Sequence, residues 1–254
     1  MNEMLTVQNL TKTYPIALQP HELQSKRARK RKKFAVNDLS FSVKKGEIFG
    51  LIGPGESGKT TLLQLISTLA KPQDGSISIA GIDVLKEPAK ARRRIGYMAG
   101  NIEPEEYTTP DKLFDFYAKI QGIATPVAEG RKDRLFEALK IEPFAEKPFL
   151  TLKPGIRQKV IIALSLVHNP DFIILDDPTS EMDIVDVMLV ADLLESLKAE
   201  QKTVLIASRN LSLLQKVCDR TGILMDGKMV SIVDTNSSLE EKFYELYKGV
   251  SCHV

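Results

Sequence analysis

Apolar and polar positions follow two rhythms along this chain, and the changes of rhythm divide it. Up to about residue 98, short apolar runs are broken by turn residues, the pattern of strands. Within that stretch Glu47-Ile48-Phe49-Gly50-Leu51-Ile52 reads as a buried strand, and Thr61-Leu62-Leu63-Gln64-Leu65-Ile66 as a helix. From about residue 103 to about 168 the rhythm is helical. Asp111 is placed to cap a helix there. Leu113, Phe116, Tyr117 and Ile120 then fall at spacings of three, four and seven, which predicts one stripe facing the core. Strands return from 170 to 235: Phe172–Leu175, Thr203–Ser208, Gly222–Met225 and, after an Asp226-Gly227 turn, Met229–Val233. Strands interleaved with helices predict an α/β fold. No internal repeat or long low-complexity tract interrupts it.

Composition narrows the class. A chain of 254 residues suffices for one large domain, or a core with a lobe. Apolar residues at 43% can fill that core, and 27% charged residues keep its surface wet. Cys218 and Cys252 lie far apart, which suits reduced thiols and not a disulfide framework. The start, Met1-Asn2-Glu3-Met4-Leu5-Thr6, has neither the basic nor the apolar region of a signal peptide. The longest apolar run, Val160 to Val167, is eight residues and contains Ser165. A membrane span needs about 20, so any membrane role is expected through a partner or surface contact.

Charge is unevenly placed. The net value is +2, yet Lys26-Arg27-Ala28-Arg29-Lys30-Arg31-Lys32-Lys33 alone carries seven positive charges. The rest of the chain holds 28 basic against 33 acidic residues, a balance of −5. A mildly acidic body with one basic segment argues against a general nucleic-acid binder. The segment itself fits a solvated loop or a contact to anionic lipid.

The clearest chemical signal is Gly53-Pro54-Gly55-Glu56-Ser57-Gly58-Lys59-Thr60, which fits G-x-x-x-x-G-K-[ST]. It stands between the buried strand and the helix, the context that loop requires. Backbone N–H groups and the positive end of the helix would face the phosphates of a nucleotide. Lys59 would reach the β- and γ-phosphates, and the Thr60 hydroxyl would hold Mg²⁺. A second signal is Phe172-Ile173-Ile174-Leu175-Asp176-Asp177, an apolar run ending in two carboxylates. Ligands of open α/β sheets sit at the carboxyl ends of strands. Asp176 would then hold Mg²⁺ through water, and Asp177 would orient the attacking water. Acids after a buried strand are also common caps. The phosphate loop upstream is what favours the metal reading.

With these motifs the chain resembles the ATP-binding subunits of ABC transporters over nearly its whole length. Leu10-Thr11-Lys12-Thr13-Tyr14 is similar to the first strand and to the aromatic that stacks on adenine. Phe34 to Glu47 resembles the strand pair leading into the phosphate loop, and Lys71 to Gly81 the turn and strand after its helix. Leu152-Lys153-Pro154-Gly155-Ile156-Arg157-Gln158-Lys159-Val160 falls where the family signature falls. Asp176-Asp177-Pro178-Thr179-Ser180-Glu181-Met182-Asp183 matches the Walker B acids and the dimer-facing loop after them. Ser238 to Leu246 resembles the tail helix of exporter ATPases of the sodium, drug and bacteriocin type. The resemblance implies one P-loop domain over residues 1–254, with a small antiparallel β subdomain and an inserted helical subdomain at about 103–168. The basic insertion, about 15–33, lies where some exporters carry a short helix near the membrane surface.

The resemblance further implies an ATP and Mg²⁺ site. Tyr14, Gly53, Gly55, Glu56, Ser57, Gly58, Lys59, Thr60 and Thr61 would hold nucleotide. Thr60 and Asp176 would hold the metal, Asp177 and Arg209 would act in catalysis, and Lys153 and Gly155 would reach the partner subunit's nucleotide. Expected partners are a membrane-spanning subunit and a second ATP-binding subunit, as homodimer or heterodimer, with no nucleic acid. The expected location is the cytoplasmic face of the membrane.

Five positions depart from the family pattern: Glu56 for a loop Gly, Gly100 for a Gln, Lys153 for the signature Ser, Asp177 for the catalytic Glu, and Arg209 for the switch His. Pro154 also replaces a Gly. Lys153 and Arg209 are cations that could still neutralise phosphate. Catalysis by positioning is nonetheless sensitive, since a shift of about 1 Å can lower rates on the order of 100-fold. The expectation is an exporter subunit with slow hydrolysis. The alternative is a regulatory ATP-binding module with little or none.

Overall fold

The computed structural model describes residues 3–15, 32–98, 105, 107–235 and 237–251. The chain begins with two long strands, β1 (Glu3–Pro15) and β2 (Lys32–Lys44), paired antiparallel. Their inward side chains Leu5, Val7, Leu10, Val36, Leu39 and Val43 are all buried. Two shorter strands, β4 (Asp74–Ile79) and β5 (Ile82–Asp83), complete a four-stranded sheet in the order β2-β1-β4-β5.

Between β2 and β4 the chain leaves this sheet to form β3 (Ile48–Ile52), buried at every residue. Continuous burial is what a central parallel strand requires. β3 runs parallel to β8 (Thr203–Ala207) on one side and to β9 (Arg220–Met225) on the other. With β6 (Ile95–Met98), β7 (Phe172–Asp176) and β10 (Lys228–Asp234) the second sheet has the order β10-β9-β3-β8-β7-β6. Only β10 is antiparallel, turning back at Asp226 and Gly227, both at positive φ as a tight hairpin needs. Helix α1 (Lys59–Ile66) follows β3 and buries Leu62, Leu63, Leu65 and Ile66 between the two sheets.

After α2 (Pro88–Arg92) and β6, the chain inserts α3 (Pro110–Ile120), α4 (Thr125–Leu139) and α5 (Pro154–Ser165) before β7. The helix α6 (Ile184–Ala199) follows β7, α7 (Leu211–Val217) follows β8, and α8 (Leu239–Ser251) ends the described chain. Among the described residues no helix is long and apolar enough to cross a membrane.

The start of α3 differs from the sequence expectation. Thr109 is the cap, accepting from the Lys112 N–H, and Asp111 lies in the first turn. Asp111 instead pairs with Lys132 of α4, which also meets Asp115. The core stripe is rotated as well. Leu113, Phe114 and Ala118 are buried, Tyr117 is half-buried, and Phe116 and Ile120 are 58% and 63% exposed. Two tertiary contacts set that rotation. Phe114 packs edge-on against Phe136 of α4 at 5.8 Å, and Lys132, one turn earlier on α4, holds α3 through the two aspartates.

Candidate functional site

The sheet order brings three strand ends together. β3, β8 and β7 are neighbours and parallel, so the segments after Ile52, Ala207 and Leu175 emerge on one edge. That edge is where open α/β sheets hold ligands.

The glycine loop occupies the first position. Ser57 N–H donates to the Pro54 carbonyl at 3.3 Å, closing a turn whose third residue, Glu56, has φ +60°. That conformation favours glycine, which explains why a side chain here is unusual. Gly58 has φ +102°, and a Cβ added to it would lie 1.9 Å from the Ala35 carbonyl oxygen. β2 therefore presses against the loop and leaves no room for a side chain. The pressing residue is the extra one of a bulge, since Lys12 pairs with Val36 but Thr13 pairs with Phe34. The hairpin after β9 supports the other side, where Gly227 N–H donates to the Ser57 carbonyl. Ser57 is buried, Thr61 half-buried, and Gly55 and Thr60 exposed.

Lys59 turns back into this loop. Its Nζ donates to the Gly53 carbonyl at 2.7 Å, the Pro54 carbonyl at 3.0 Å and Ser57 Oγ at 3.1 Å. Burial holds this ammonium below the ordinary lysine pKa, while Asp177 and Asp176 pull it back up. Asp176, the last residue of β7, is shifted the other way. Burial raises its carboxyl, a hydrogen bond from Thr60 lowers it, and Asp177 raises it again. Two protein oxygens, from Thr60 and Asp176, thus stand together beside the lysine. They fit Mg²⁺, which takes its remaining ligands from water and phosphate and not from an all-protein cage.

Asp177 has φ +48°, a region that aspartate tolerates better than most side chains. Its N–H donates to the Ala207 carbonyl at 2.7 Å, anchoring it between β7 and β8. Arg209, just past β8, donates to Asp177 Oδ2 through Nε at 3.0 Å, and its Nη2 stands 3.0 Å from the same oxygen as an ion pair. The two substituted positions are therefore each other's partner. Gln158 of α5 also reaches this point, donating to the Asp177 carbonyl at 2.9 Å and to Ser180 Oγ at 3.3 Å. Gln158 lay inside the signature stretch, but nothing in the sequence marked it as a tie to β7.

The signature residues open α5. Lys153 is the N-cap residue without a side-chain cap, Pro154 is the first helical residue and Gly155 is buried. Proline suits that position, though it removes one N–H from the exposed helix start. A Cβ on Gly155 would lie 2.9 Å from the Glu181 carbonyl, so α5 packs tightly on the loop before α6. Lys159 of α5 completes that contact with a buried ion pair to Asp186 at 2.7 Å.

Tyr14 sits half-open near the end of β1, opposite Lys33 in the ladder, with Lys12 Nζ 5.2 Å from its ring centre. Lys33 in turn pairs with Glu56, so the end of β1 and the start of β2 meet the phosphate loop. No sequence signal marks that pair. Gly100, and Lys26 to Arg31 of the basic segment, lie outside the described residues.

This fold and loop define a P-loop nucleotide-binding cassette. Residues 36–180 match the family model for ABC transporters. The ABC transporter ATP-binding protein NatA of Bacillus subtilis (strain 168) is 31% identical over 209 residues, covering 81% of this chain and 85% of that protein. The Nod factor export ATP-binding protein I of Burkholderia orbicola (strain AU 1054) is 33% identical over 218 residues, covering 85% of this chain and 71% of the relative. A dimeric structure of a bacterial ABC transporter cassette superposes with a TM-score of 0.78 at 27% identity, over 92% of this chain and 100% of that one. A cassette dimer in a post-hydrolysis state with ADP and Pi gives a TM-score of 0.80 at 24% identity, over 92% and 100%, a likeness of fold. The chain belongs to the ABC transporter family, as an ATP-binding subunit.

Proposed function

We propose that this chain is the MgATP-binding subunit of a membrane exporter and that its own hydrolysis is slow. Relatives named for Nod factor export and for linearmycin resistance support the exporter part. The subunit would dimerise on MgATP at the cytoplasmic face of the membrane and pass that closure to a separate membrane subunit.

In this reading the loop N–H groups and Lys59 bind the phosphates, exchanging the Gly53 and Pro54 carbonyls for phosphate oxygens. Thr60 and Asp176 hold the metal, which when bound neutralises charge on the transferring phosphate. Tyr14 stacks on the base, and Lys153 and Gly155 meet the nucleotide of the partner subunit.

One observation carries the slow turnover: the Arg209 fork on Asp177 Oδ2. A carboxylate that orients water needs a free, basic oxygen at the right reach. Here Oδ2 accepts the Arg209 Nε–H, with Nη2 also 3.0 Å away, which occupies that oxygen and fixes its direction. The side chain is also one methylene shorter than the family's glutamate. A displacement of about 1 Å lowers rates by about 100-fold.

The test is single-turnover hydrolysis by wild type and by Asp177→Glu with Arg209→His. The double variant is expected to be about 10- to 100-fold faster. A wild-type rate of about 10 per second, ordinary for an enzyme, would overturn the slow-turnover reading. The same fork also favours a second reading, a regulatory module whose nucleotide governs assembly. Copurification with a membrane-spanning subunit separates the two.

A further inference from the structure

The glycine loop carries a negative side chain where a polyphosphate must sit, and the structure shows what offsets it. Glu56 projects from the loop at φ +60° and is 81% exposed. Its carboxylate meets the Lys33 ammonium, and that contact holds the Glu56 carboxyl below its ordinary pKa. Lys33 is held there by the sheet. It belongs to β2, lies opposite Tyr14 in the ladder, and stands two residues before Ala35, whose carbonyl abuts Gly58. The same strand thus shapes the loop and supplies its counter-charge.

We infer that Lys33 is a positioning residue for nucleotide binding: it neutralises Glu56 and turns that carboxylate away from the phosphates. The inference rests on the phosphate-loop reading of the site. An unpaired carboxylate in the loop would repel a polyphosphate across a distance that salt only partly screens. With Lys33 in place the loop presents no net charge at that position, and the Lys59 ammonium faces the phosphates unopposed.

The experiment is equilibrium calorimetry of MgATP with the full chain at low and high salt. Exposed ion pairs set the scale, up to about fivefold in an equilibrium constant. Lys33→Ala is expected to weaken binding by about fivefold at low salt, with the loss shrinking at high salt. Lys33→Arg should restore it. Glu56→Gly should tighten binding, because it leaves Lys33 as a free cation beside the phosphates and relieves the left-handed backbone. In the Glu56→Gly background, Lys33→Ala should take away no more than that tightening and leave affinity no weaker than wild type. Unaltered affinity in Lys33→Ala, or weaker binding in Glu56→Gly, overturns the inference. So does a double variant as weak as Lys33→Ala, which would mean that Lys33 touches nucleotide directly. Lys59→Ala keeps the two readings apart. It should abolish binding in every background, and if a folded Lys59→Ala variant binds normally, the phosphate-loop reading itself fails.

Discussion

A thiol in the wall of the phosphate-loop strand shows how far single residues here are governed by burial. Cys218 is enclosed, and a Cβ added to Gly50 of β3 would lie 2.9 Å from its Sγ. Burial pushes its pKa from 9.0 up to about 12, with a Thr221 hydrogen bond opposing. A thiol that stays protonated is a poor nucleophile. Native protein carrying Cys252→Ser should therefore resist a thiol reagent at pH 8 and react only after denaturation; prompt labelling in the native state would contradict the burial. The folded form holds this proton more tightly than the unfolded form. Its contribution to stability is therefore whole below pH 9 and lost as pH rises through the window up to about 12. Alkaline denaturation midpoints should show a shallower pH slope in Cys218→Ala over that window.

At the scale of elements, the contact between α5 and α6 joins the signature region to the strand that ends in Asp176. Its centre is the Lys159–Asp186 pair, with the Lys159 side chain 3% exposed. Removing one member of a buried pair strands the other charge, at a cost of roughly 3 kcal/mol. Lys159→Ala should lower unfolding stability by about that amount. Lys159→Met with Asp186→Leu should lie close to wild type in the same denaturant titration. Equal losses in both variants would mean that packing, and not charge, governs the contact. This junction also shows what the sequence carries. The strand, loop and helix around Lys59 were legible because each has a strong local signal: a fully apolar run, a fixed glycine spacing, then helical periodicity. Asp176 was legible for the same reason. The face of α3 was not, because Phe114 and Phe116 are equal candidates until Phe136 of the next helix chooses one. The pairing of Asp177 with Arg209 was hidden too. Both residues could be named, but their meeting follows from β7 and β8 being neighbours and from the positive φ at Asp177.

For the whole molecule, the distribution of charge sets the last expectation. Seven positive charges between Lys26 and Lys33 face a remainder at −5. Of these residues Lys32 and Lys33 open β2, and Lys33 is engaged by Glu56. The rest lie outside the described residues. Clustered lysine and arginine near a membrane gain about 1 kcal/mol each from anionic lipid. A cassette beside a membrane subunit would place such a segment against that surface. The attraction is screened over about 8 Å at physiological ionic strength. The chain should therefore float with anionic liposomes at low salt and release at high salt. Changing Arg27, Lys30 and Arg31 to Ser removes charge but leaves Lys33 with Glu56. That variant should bind the liposomes less while keeping its MgATP affinity. The contrast with Lys33→Ala is the informative part: one change is expected to act on nucleotide and the other on lipid, although both fall in one basic run. Equal flotation of wild type and the triple variant would show that the segment is a solvated loop, and membrane attachment would then depend on contacts made by the helices between β6 and β7.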